Sequence, residues 1–174
     1  MKIFSILLKA KKYKKKNELL QGSFFFLSLA LGIFLLLFVS DNFLRWPGGV
    51  RIFAGMLAGI VLLKEAGVKV FWPIFRRYSR EKMALFLEEK YNIPENIVIN
   101  ACHFQKQEIL KTEKYFAEKT IQQASSILET LDIGLILEKK KIRKVGLFLC
   151  AILSCFAIYG IFFPRYLQNA FFRY

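Results

Sequence analysis

Long apolar stretches without charge constrain this chain more than any other feature of its sequence. Residues 19–40 contain no charged side chain over 22 positions, and residues 145–164 contain none over 20. A helix needs roughly 20 apolar residues to cross a hydrocarbon core about 30 Å thick, so each stretch has the length of a membrane span. A third, less uniform stretch lies between them, at residues 50–72. The sequence therefore predicts a helical membrane protein.

The basic residues lie beside these stretches rather than on a soluble module. The net charge is +14, a value that by itself is typical of nucleic-acid-binding proteins. Residues 80–138, however, contain seven Lys or Arg and ten Asp or Glu. The excess positive charge occurs in three clusters, at residues 2–16, 76–80 and 139–144. Basic flanks hold helix ends on the cytoplasmic side and attract anionic lipid headgroups, so we predict a bilayer as partner and no nucleic acid.

The basic clusters also predict the topology. Lysine and arginine accumulate in cytoplasmic loops, which places the amino terminus inside and the carboxyl terminus outside. The first stretch exceeds the roughly 7–15 apolar residues of a signal peptide, so we interpret it as an uncleaved anchor. The predicted fold is an all-α membrane protein with three transmembrane helices and a small helical cytoplasmic segment between the second and third. Its parts are a basic cytoplasmic terminus (1–18), transmembrane helices (19–40, 50–72 and 145–164), an outer turn (41–49), cytoplasmic amphipathic helices (73–144) and an outer tail (165–174).

The second stretch is the one whose crossing is in question. Only residues 52–63, 12 positions, are free of charge, which is too short to cross alone. A crossing requires Lys64, Glu65 and Lys69 to lie in its inner part, with the lysine side chains reaching toward the headgroups. Glu65 and Lys69 are four residues apart, a spacing that favours an ion pair on one helix face. The alternative is that these charges form an intramembrane site for a proton or an ion.

Small residues in the same stretch have a spacing that is common at helix interfaces. Gly55 and Gly59 form a Gly-x-x-x-Gly pattern. Small residues four apart let two helix backbones approach closely. We therefore predict that Gly55 and Gly59 face another helix, of this chain or of a second subunit, and the pattern leaves the oligomeric state open.

The segment between the second and third stretches has the period of amphipathic helices. Breaks are predicted at residues 92–94 and 132–134, Ser79 is a predicted N-cap, and Pro94 suits a first helical position. The predicted apolar faces are Met83, Phe86, Leu87 and Tyr91, then Ile97, Ala101, Phe104 and Ile109, and, on a helix starting near Thr112, Phe116, Thr120, Ala124, Ile127, Leu128 and Leu131. Such faces must be covered by one another, by the bilayer surface or by a partner, and we predict a protein partner there.

The sequence offers few residues for catalysis or cofactor binding. Its one histidine, His103, follows Cys102, and adjacent helical residues point in different directions, which disfavours a nucleophilic pair. No Cys-x-x-Cys or His-x-x-x-His spacing predicts a metal site. Two pairs of carboxylates lie among lysines, where ion pairs on a solvated face are expected: Glu88 with Glu89, and Glu113 with Glu118. We predict no enzyme activity, no catalytic residue, no metal and no cofactor.

Several short motifs occur in an order found in a known family. They are Asp41 with Leu44-Arg45-Trp46-Pro47, Arg76-Arg77-Tyr78-Ser79-Arg80-Glu81 with Ala84, Leu85 and Glu88, Ile99-Asn100-Ala101, the basic run before the last stretch, and Pro164 with Asn169-Ala170 and Arg173. In this order, over nearly its whole length, the chain resembles the amino-terminal three-span membrane region of long bacterial envelope proteins, a family classed only as a domain of unknown function. Such proteins continue well beyond the last span. The resemblance therefore implies the amino-terminal part of a larger envelope protein and no catalytic residue.

The leading functional hypothesis is a non-enzymatic anchor or protein-interaction module in the inner membrane. Its basis is three predicted spans without a constellation of catalytic groups. The alternative is a small transport or channel subunit that uses Lys64, Glu65 and Lys69 along an oligomeric pore.

Overall fold

The computed structural model describes residues 2–105 and 114–164, and every regular element in them is helical, which confirms the predicted all-α class for that part of the chain. The elements are α1 (Lys2–Leu44), α2 (Gly48–Ala66), a π-helical turn (Gly67–Phe71), α3 (Trp72–Phe75), α4 (Arg80–Tyr91), α5 (Ile97–Phe104), α6 (Lys114–Thr130) and α7 (Lys139–Phe162), with 3₁₀ turns at Pro94–Asn96 and Ile133–Ile136. The predictions that fall on Ile109, Thr112, Glu113 and the tail at 165–174 lie outside the described residues.

The chain divides into two compact units. The first, here called the helical unit, comprises Met1–Lys16 and Arg76–Leu137. The second, here called the apolar unit, comprises Asn17–Phe75 and Glu138–Tyr174. Because α1 begins at Lys2 and ends at Leu44, it contributes residues to both units.

Within the apolar unit, α1 and α2 run antiparallel. At one end, the Arg51 Nε donates a hydrogen bond of 2.7 Å to Oδ1 of the buried Asp41. At the other end, beyond α2, the Lys69 ammonium lies 5.5 Å from the centroid of the Phe25 ring. The end of α1 therefore contacts the start of α2, while an earlier part of α1 contacts the segment that follows α2, as expected for antiparallel helices. A helix break lies within the predicted outer turn (41–49), but it is shorter than predicted: it covers only Arg45 to Pro47, because α1 continues to Leu44 and α2 begins at Gly48.

The Asp41–Arg51 ion pair is expected to stabilise this hairpin measurably. Arg51 is half-buried while Asp41 is buried, so the pair is less screened than a surface pair but not fully desolvated. We expect a coupling free energy of about 1–2 kcal/mol in a double-mutant cycle of Asp41→Asn and Arg51→Gln, read as thermal unfolding in detergent. Additive effects of the two single changes would contradict a stabilising pair.

Helix α7 runs parallel to α1. Three contacts join the two helices, and the residue numbers increase together along both: Gly32 with Ile152, Phe38 with Phe156, and Asn42 with Tyr159. The two phenylalanine rings meet edge to face with 6.5 Å between their centroids. Phe38 is consequently buried in an apolar unit whose surface is otherwise rich in exposed Phe, Leu and Ile.

Two of the described helices, α1 and α7, are long and apolar enough to cross a membrane by length and composition. Their most apolar windows have mean hydropathies of 2.5 and 2.4. Helix α2 is not among them, because its 19 residues include three charges, Arg51, Lys64 and Glu65. Length and composition thus support two spanning helices, where the sequence predicted three. No side chain of α2 or α7 is buried, and Leu63 is 76% exposed.

The amino-terminal residues are part of a packed core, which corrects their interpretation as a basic flank alone. Ile3, Leu7 and Ala10 lie on one face of α1 and are at most 3% exposed. The other buried members of this core are Tyr78, Met83, Ala84, Leu87, Ile97, Val98, Ala101, Cys102, Ala124, Leu128 and Ile136. The buried parts of these apolar faces are therefore covered by one another and by α1.

Helix ends in the helical unit follow local capping rules. Ser79 accepts a hydrogen bond of 3.2 Å from the Lys82 amide, which confirms the predicted N-cap. The breaks predicted at residues 92–94 and 132–134 are also confirmed, although Pro94 begins a 3₁₀ turn and α5 starts at Ile97. The Tyr91 hydroxyl donates a hydrogen bond of 2.5 Å to the backbone carbonyl of Asp132. Burial, and to a lesser extent the negative charge of Asp132, raises the pKa of Tyr91, so the hydroxyl stays protonated and can donate.

The predicted apolar faces are largely confirmed, with one error of register. Met83, Leu87, Ile97 and Ala101 are buried as expected, and so are Ala124 and Leu128. Phe116, by contrast, is 69% exposed, while the neighbouring Ala117 is buried. The buried positions 117, 124 and 128 repeat at i, i+7 and i+11, so α6 packs on a stripe that begins one residue later than predicted.

Candidate interaction surface

A groove on the helical unit combines an apolar floor with two cations. Its volume is about 300 Å³. It is lined by Phe4, Leu7, Leu8, Lys11, Tyr78, Ser79, Arg80 and Met83. Among these lining residues two are basic and none is acidic, so the groove has a positive edge along an apolar surface.

The helix period explains why these side chains meet. Phe4, Leu7, Leu8 and Lys11 are spaced at i, i+3, i+4 and i+7, which places them on one face of α1. The start of α4 supplies the opposite wall, including Arg80, whose guanidinium carbon lies 4.1 Å from the centroid of the Phe4 ring. Phe4 and Leu8 remain 38% and 42% exposed. Apolar area is therefore open to solvent directly beside a fixed positive charge.

Further cations of the helical unit are held on aromatic faces. The Lys14 ammonium lies 3.5 Å from the centroid of Phe86 and 5.2 Å from that of Tyr78. The Arg76 guanidinium approaches the same tyrosine at 5.1 Å. A cation over an aromatic ring gains about 0.5–1 kcal/mol at exposed sites, and more when water is excluded. These contacts restrict where the positive charges lie.

Glu88 does not face solvent, which corrects the prediction of a solvated Glu88–Glu89 pair. It is 5% exposed, and its Oε1 accepts hydrogen bonds from the amides of Val98 at 2.7 Å and Ile99 at 3.0 Å. Those amides belong to the first turn of α5, which lacks intrahelical partners for its N–H groups. Glu88 therefore caps α5 from across the core, whereas Glu89 is exposed.

The charges singled out in the second stretch do not form a joint site. Lys64 is exposed and Glu65 is half-buried, and no ion pair joins Glu65 to Lys69 in the described part of the chain. The Lys69 ammonium lies over Phe25 instead. Within one chain, Lys64, Glu65 and Lys69 are therefore not assembled into the joint site that the transport alternative would use.

Within one chain, the described residues give Gly59 no close helix neighbour, and packing of Gly55 and Gly59 against a second subunit stays a prediction. In the part of the chain that the structure describes, no atom outside its own helix lies within 4 Å of a Cβ built on Gly59, and Gly55 is half-buried. A Cβ built on Gly22 of α1, however, would overlap the carbonyl oxygen of Lys69 in the π-helical turn. Sequence reasoning missed Gly22, because it stands alone without a second small residue four positions away.

Chemically reactive residues are dispersed among the described positions. Cys102 is buried while His103 is exposed, so the two side chains point apart. Within residues 2–105 and 114–164, no three His, Cys, Asp or Glu side chains lie together as a metal site would need. In the groove, the Ser79 hydroxyl already serves as the cap of α4.

No protein-family model, no curated protein and no solved structure matches this chain. The resemblance to bacterial envelope proteins accordingly stays a prediction.

Proposed function

We propose that this chain is a non-enzymatic three-span anchor of the inner membrane, which presents the helical unit to a protein partner in the cytoplasm. The observation that carries the proposal is the direction of the helices in the apolar unit. α2 runs antiparallel to α1 and α7 runs parallel to it. One outward, one inward and one outward crossing produce this pattern.

The second segment is long enough to cross when its continuation is included. α2, the π-helical turn and α3 follow one another from Gly48 to Phe75. At 1.5 Å per residue this is about 40 Å, more than the roughly 30 Å of a hydrocarbon core. Lys69 then lies about 30 Å from the start of α2, near the inner boundary, and Lys64 about 24 Å from it. Both ammonium groups are within reach of the inner headgroups.

The orientation is supported by the positions of the basic residues. Given these helix directions, the start of the apolar part of α1, the end of α3 and the start of α7 lie at one end of the apolar unit. The three basic clusters at residues 2–16, 76–80 and 139–144 adjoin that end along the chain. Since lysine and arginine accumulate on the cytoplasmic side, this end faces the cytoplasm.

Reporter fusions are expected to place position 46 outside, position 100 inside and position 174 outside. Two reporters are fused at each position. Alkaline phosphatase is active only outside the cytoplasm and the fluorescent protein only inside it, so their signals are complementary. A fusion after Trp46 and a fusion after Asn100 on the same side would show that the second segment does not cross and would refute the three-span proposal.

The groove indicates the chemistry of the partner. Its exposed Phe4 and Leu8 suit apolar side chains, while Lys11 and Arg80 suit carboxylates at the edge. An amphipathic segment with acidic residues beside its apolar face meets both requirements. The anchor would thus recruit an acidic amphipathic segment of a cytoplasmic or membrane partner.

Photo-crosslinking in cells tests this assignment. A photoreactive residue at Leu8 is expected to give a discrete protein adduct that Lys11→Glu with Arg80→Glu reduces about tenfold, because each change replaces attraction with repulsion. The matched controls are the same probe at the exposed Glu129 and the charge reversal Lys119→Glu outside the groove. Equal adducts at Leu8 and Glu129, or an adduct that survives the double reversal, would contradict a docking role for the groove.

A further inference from the structure

A second groove lies where α1 and α7 end together. Its volume is about 270 Å³, and it is lined by Asn42, Phe43, Arg45, Tyr159 and Phe163 of the apolar unit. Because the two helices run parallel and each is long and apolar enough to cross, their carboxyl-terminal ends lie at the same membrane surface. Aromatic side chains at such a surface contact the headgroup region.

Arg45 has an unusual backbone and an uncommitted side chain. It directly follows α1 with a φ of 47°, a left-handed conformation that helix ends usually assign to Gly or Asn. Its exposed guanidinium forms no hydrogen bond or ion pair with any residue that the structure describes. A bulky cation kept in a strained conformation without an internal partner is a sign of a ligand contact.

Tyr159 provides a second donor in the same groove. The Asn42 side-chain amide donates a hydrogen bond to the Tyr159 hydroxyl oxygen. The hydroxyl proton is then free of that contact and can be donated to a ligand oxygen. Arg45 and Tyr159 together can bind a phosphate, with Phe43, 82% exposed, beside it for an acyl chain.

The helix ends decide which phospholipid fits. Each helix carries roughly half a negative charge at its carboxyl terminus, so two such ends lie beside one arginine. The last carbonyls of each helix also lack intrahelical donors. A headgroup that carries only a negative charge can bind the arginine but has no cation to place at the negative helix ends. A headgroup that carries a primary ammonium next to its phosphate satisfies both the arginine and the carbonyls.

We propose that this groove binds a phosphatidylethanolamine-type lipid, with the phosphate on Arg45 and Tyr159 and the ammonium at the ends of α1 and α7. The site rests on the proposed function, because it requires these helices to span the membrane and places the lipid in the outer leaflet. A choline headgroup has no N–H to donate to the carbonyls, and a glycerol headgroup has no cation.

Native mass spectrometry of the full chain tests the site, with equimolar phosphatidylethanolamine, phosphatidylglycerol and phosphatidylcholine of identical acyl chains in the micelles. We expect ethanolamine lipid to be retained several-fold above the other two. Arg45→Asn, which tolerates the left-handed conformation, is expected to lower that retention about tenfold, and Arg45→Lys about threefold, since lysine keeps the charge but not the planar fork. Arg77→Asn, an exposed arginine of the helical unit, is the matched control and should change nothing.

Several outcomes would overturn the site. Preferred retention of phosphatidylglycerol or phosphatidylcholine would refute the ethanolamine assignment, and unchanged retention in a folded Arg45→Asn variant would refute the role of Arg45. If the fusion after Trp46 reports outside but the chain retains no ethanolamine lipid, only the lipid site is refuted. If that fusion reports inside, the proposed function is refuted.

Discussion

Replacing Glu88 with alanine is expected to lower the free energy of unfolding of the helical unit by about 3 kcal/mol, because two charge-assisted hydrogen bonds are lost at once. Oε1 of Glu88 is the acceptor for the amides of both Val98 and Ile99. Without it, two donors in the first turn of α5 stay buried without a partner. The carboxylate also faces the positive end of the α5 dipole, which adds to the loss.

Replacing Glu88 with glutamine tests the contribution of the negative charge, because glutamine has nearly the same shape as glutamate. Glu88→Gln keeps a side-chain oxygen that can accept from the two amides, but the hydrogen bonds are no longer assisted by a negative charge. We expect a cost of about 1–1.5 kcal/mol, roughly half that of alanine. The matched control is Glu89→Ala, since Glu89 is the exposed neighbour on the same helix and its loss should change stability by at most about 0.5 kcal/mol.

Hydrogen exchange of the full chain in detergent measures this effect where it occurs. The amides of Val98 and Ile99 should exchange faster in Glu88→Ala, together with other peptides of the helical unit, while peptides of α7 keep their protection. Thermal unfolding by circular dichroism gives the global change. Equal stabilities of the Glu88→Ala and Glu89→Ala variants would show that Glu88 is not the cap of α5.

Features that depend on near neighbours could be predicted from the sequence. The N-cap at Ser79 and the breaks at residues 92–94 and 132–134 follow from local hydrogen bonding and from proline and glycine chemistry. The apolar parts of α1 and α7 follow from local hydropathy, although α1 begins at Lys2 and α7 at Lys139, both before the predicted apolar stretches. Each of these needs only the residues within about one or two helical turns.

Features that depend on distant segments could not be predicted in the same way. Glu88 lies among charged residues, so the sequence predicts a solvated side chain. Its role as a cap depends on the packing of α5 against it. Gly22 becomes significant only when the π-helical turn is beside it. Ile3, Leu7 and Ala10 have the spacing of one helix face, but only packing with distant residues such as Met83 and Leu128 makes that face part of a core.

Replacing Gly22 with alanine is expected to have the second large effect, a loss of about 3 kcal/mol in the stability of the apolar unit. A Cβ at this position would overlap the Lys69 carbonyl oxygen and lie 2.9 Å from its carbonyl carbon. Favourable contacts between carbon atoms need about 3.5–4.0 Å. The obstacle is backbone, which cannot rotate away as a side chain can, so the cost falls at the upper end of the roughly 1–3 kcal/mol for overpacking.

Gly59→Ala is the matched control, and the expected change has the opposite sign. It introduces the same methyl group into a helix of the same unit, but among residues 2–105 and 114–164 no atom outside that helix lies within 4 Å of the new Cβ. Alanine in a helix interior is favoured over glycine by roughly 0.5–1 kcal/mol, so this variant should unfold slightly later than the parent chain. Thermal unfolding in one detergent compares the two directly. Equal effects of both substitutions would refute a close contact at Gly22.

We expect the π-helical turn to be what brings the Lys69 carbonyl close to Gly22, and shortening this turn tests that expectation. The Trp72 amide bonds to the Gly67 carbonyl, five residues back, so this turn holds more residues than an α-helical turn and is wider. Deleting Val68 should return the segment to α-helical geometry and move the Lys69 carbonyl away from α1. In that background Gly22→Ala is expected to cost less than about 1 kcal/mol, since the remaining penalty is ordinary repacking. A cost unchanged by the deletion would mean that the tight approach of α1 does not depend on the wide turn.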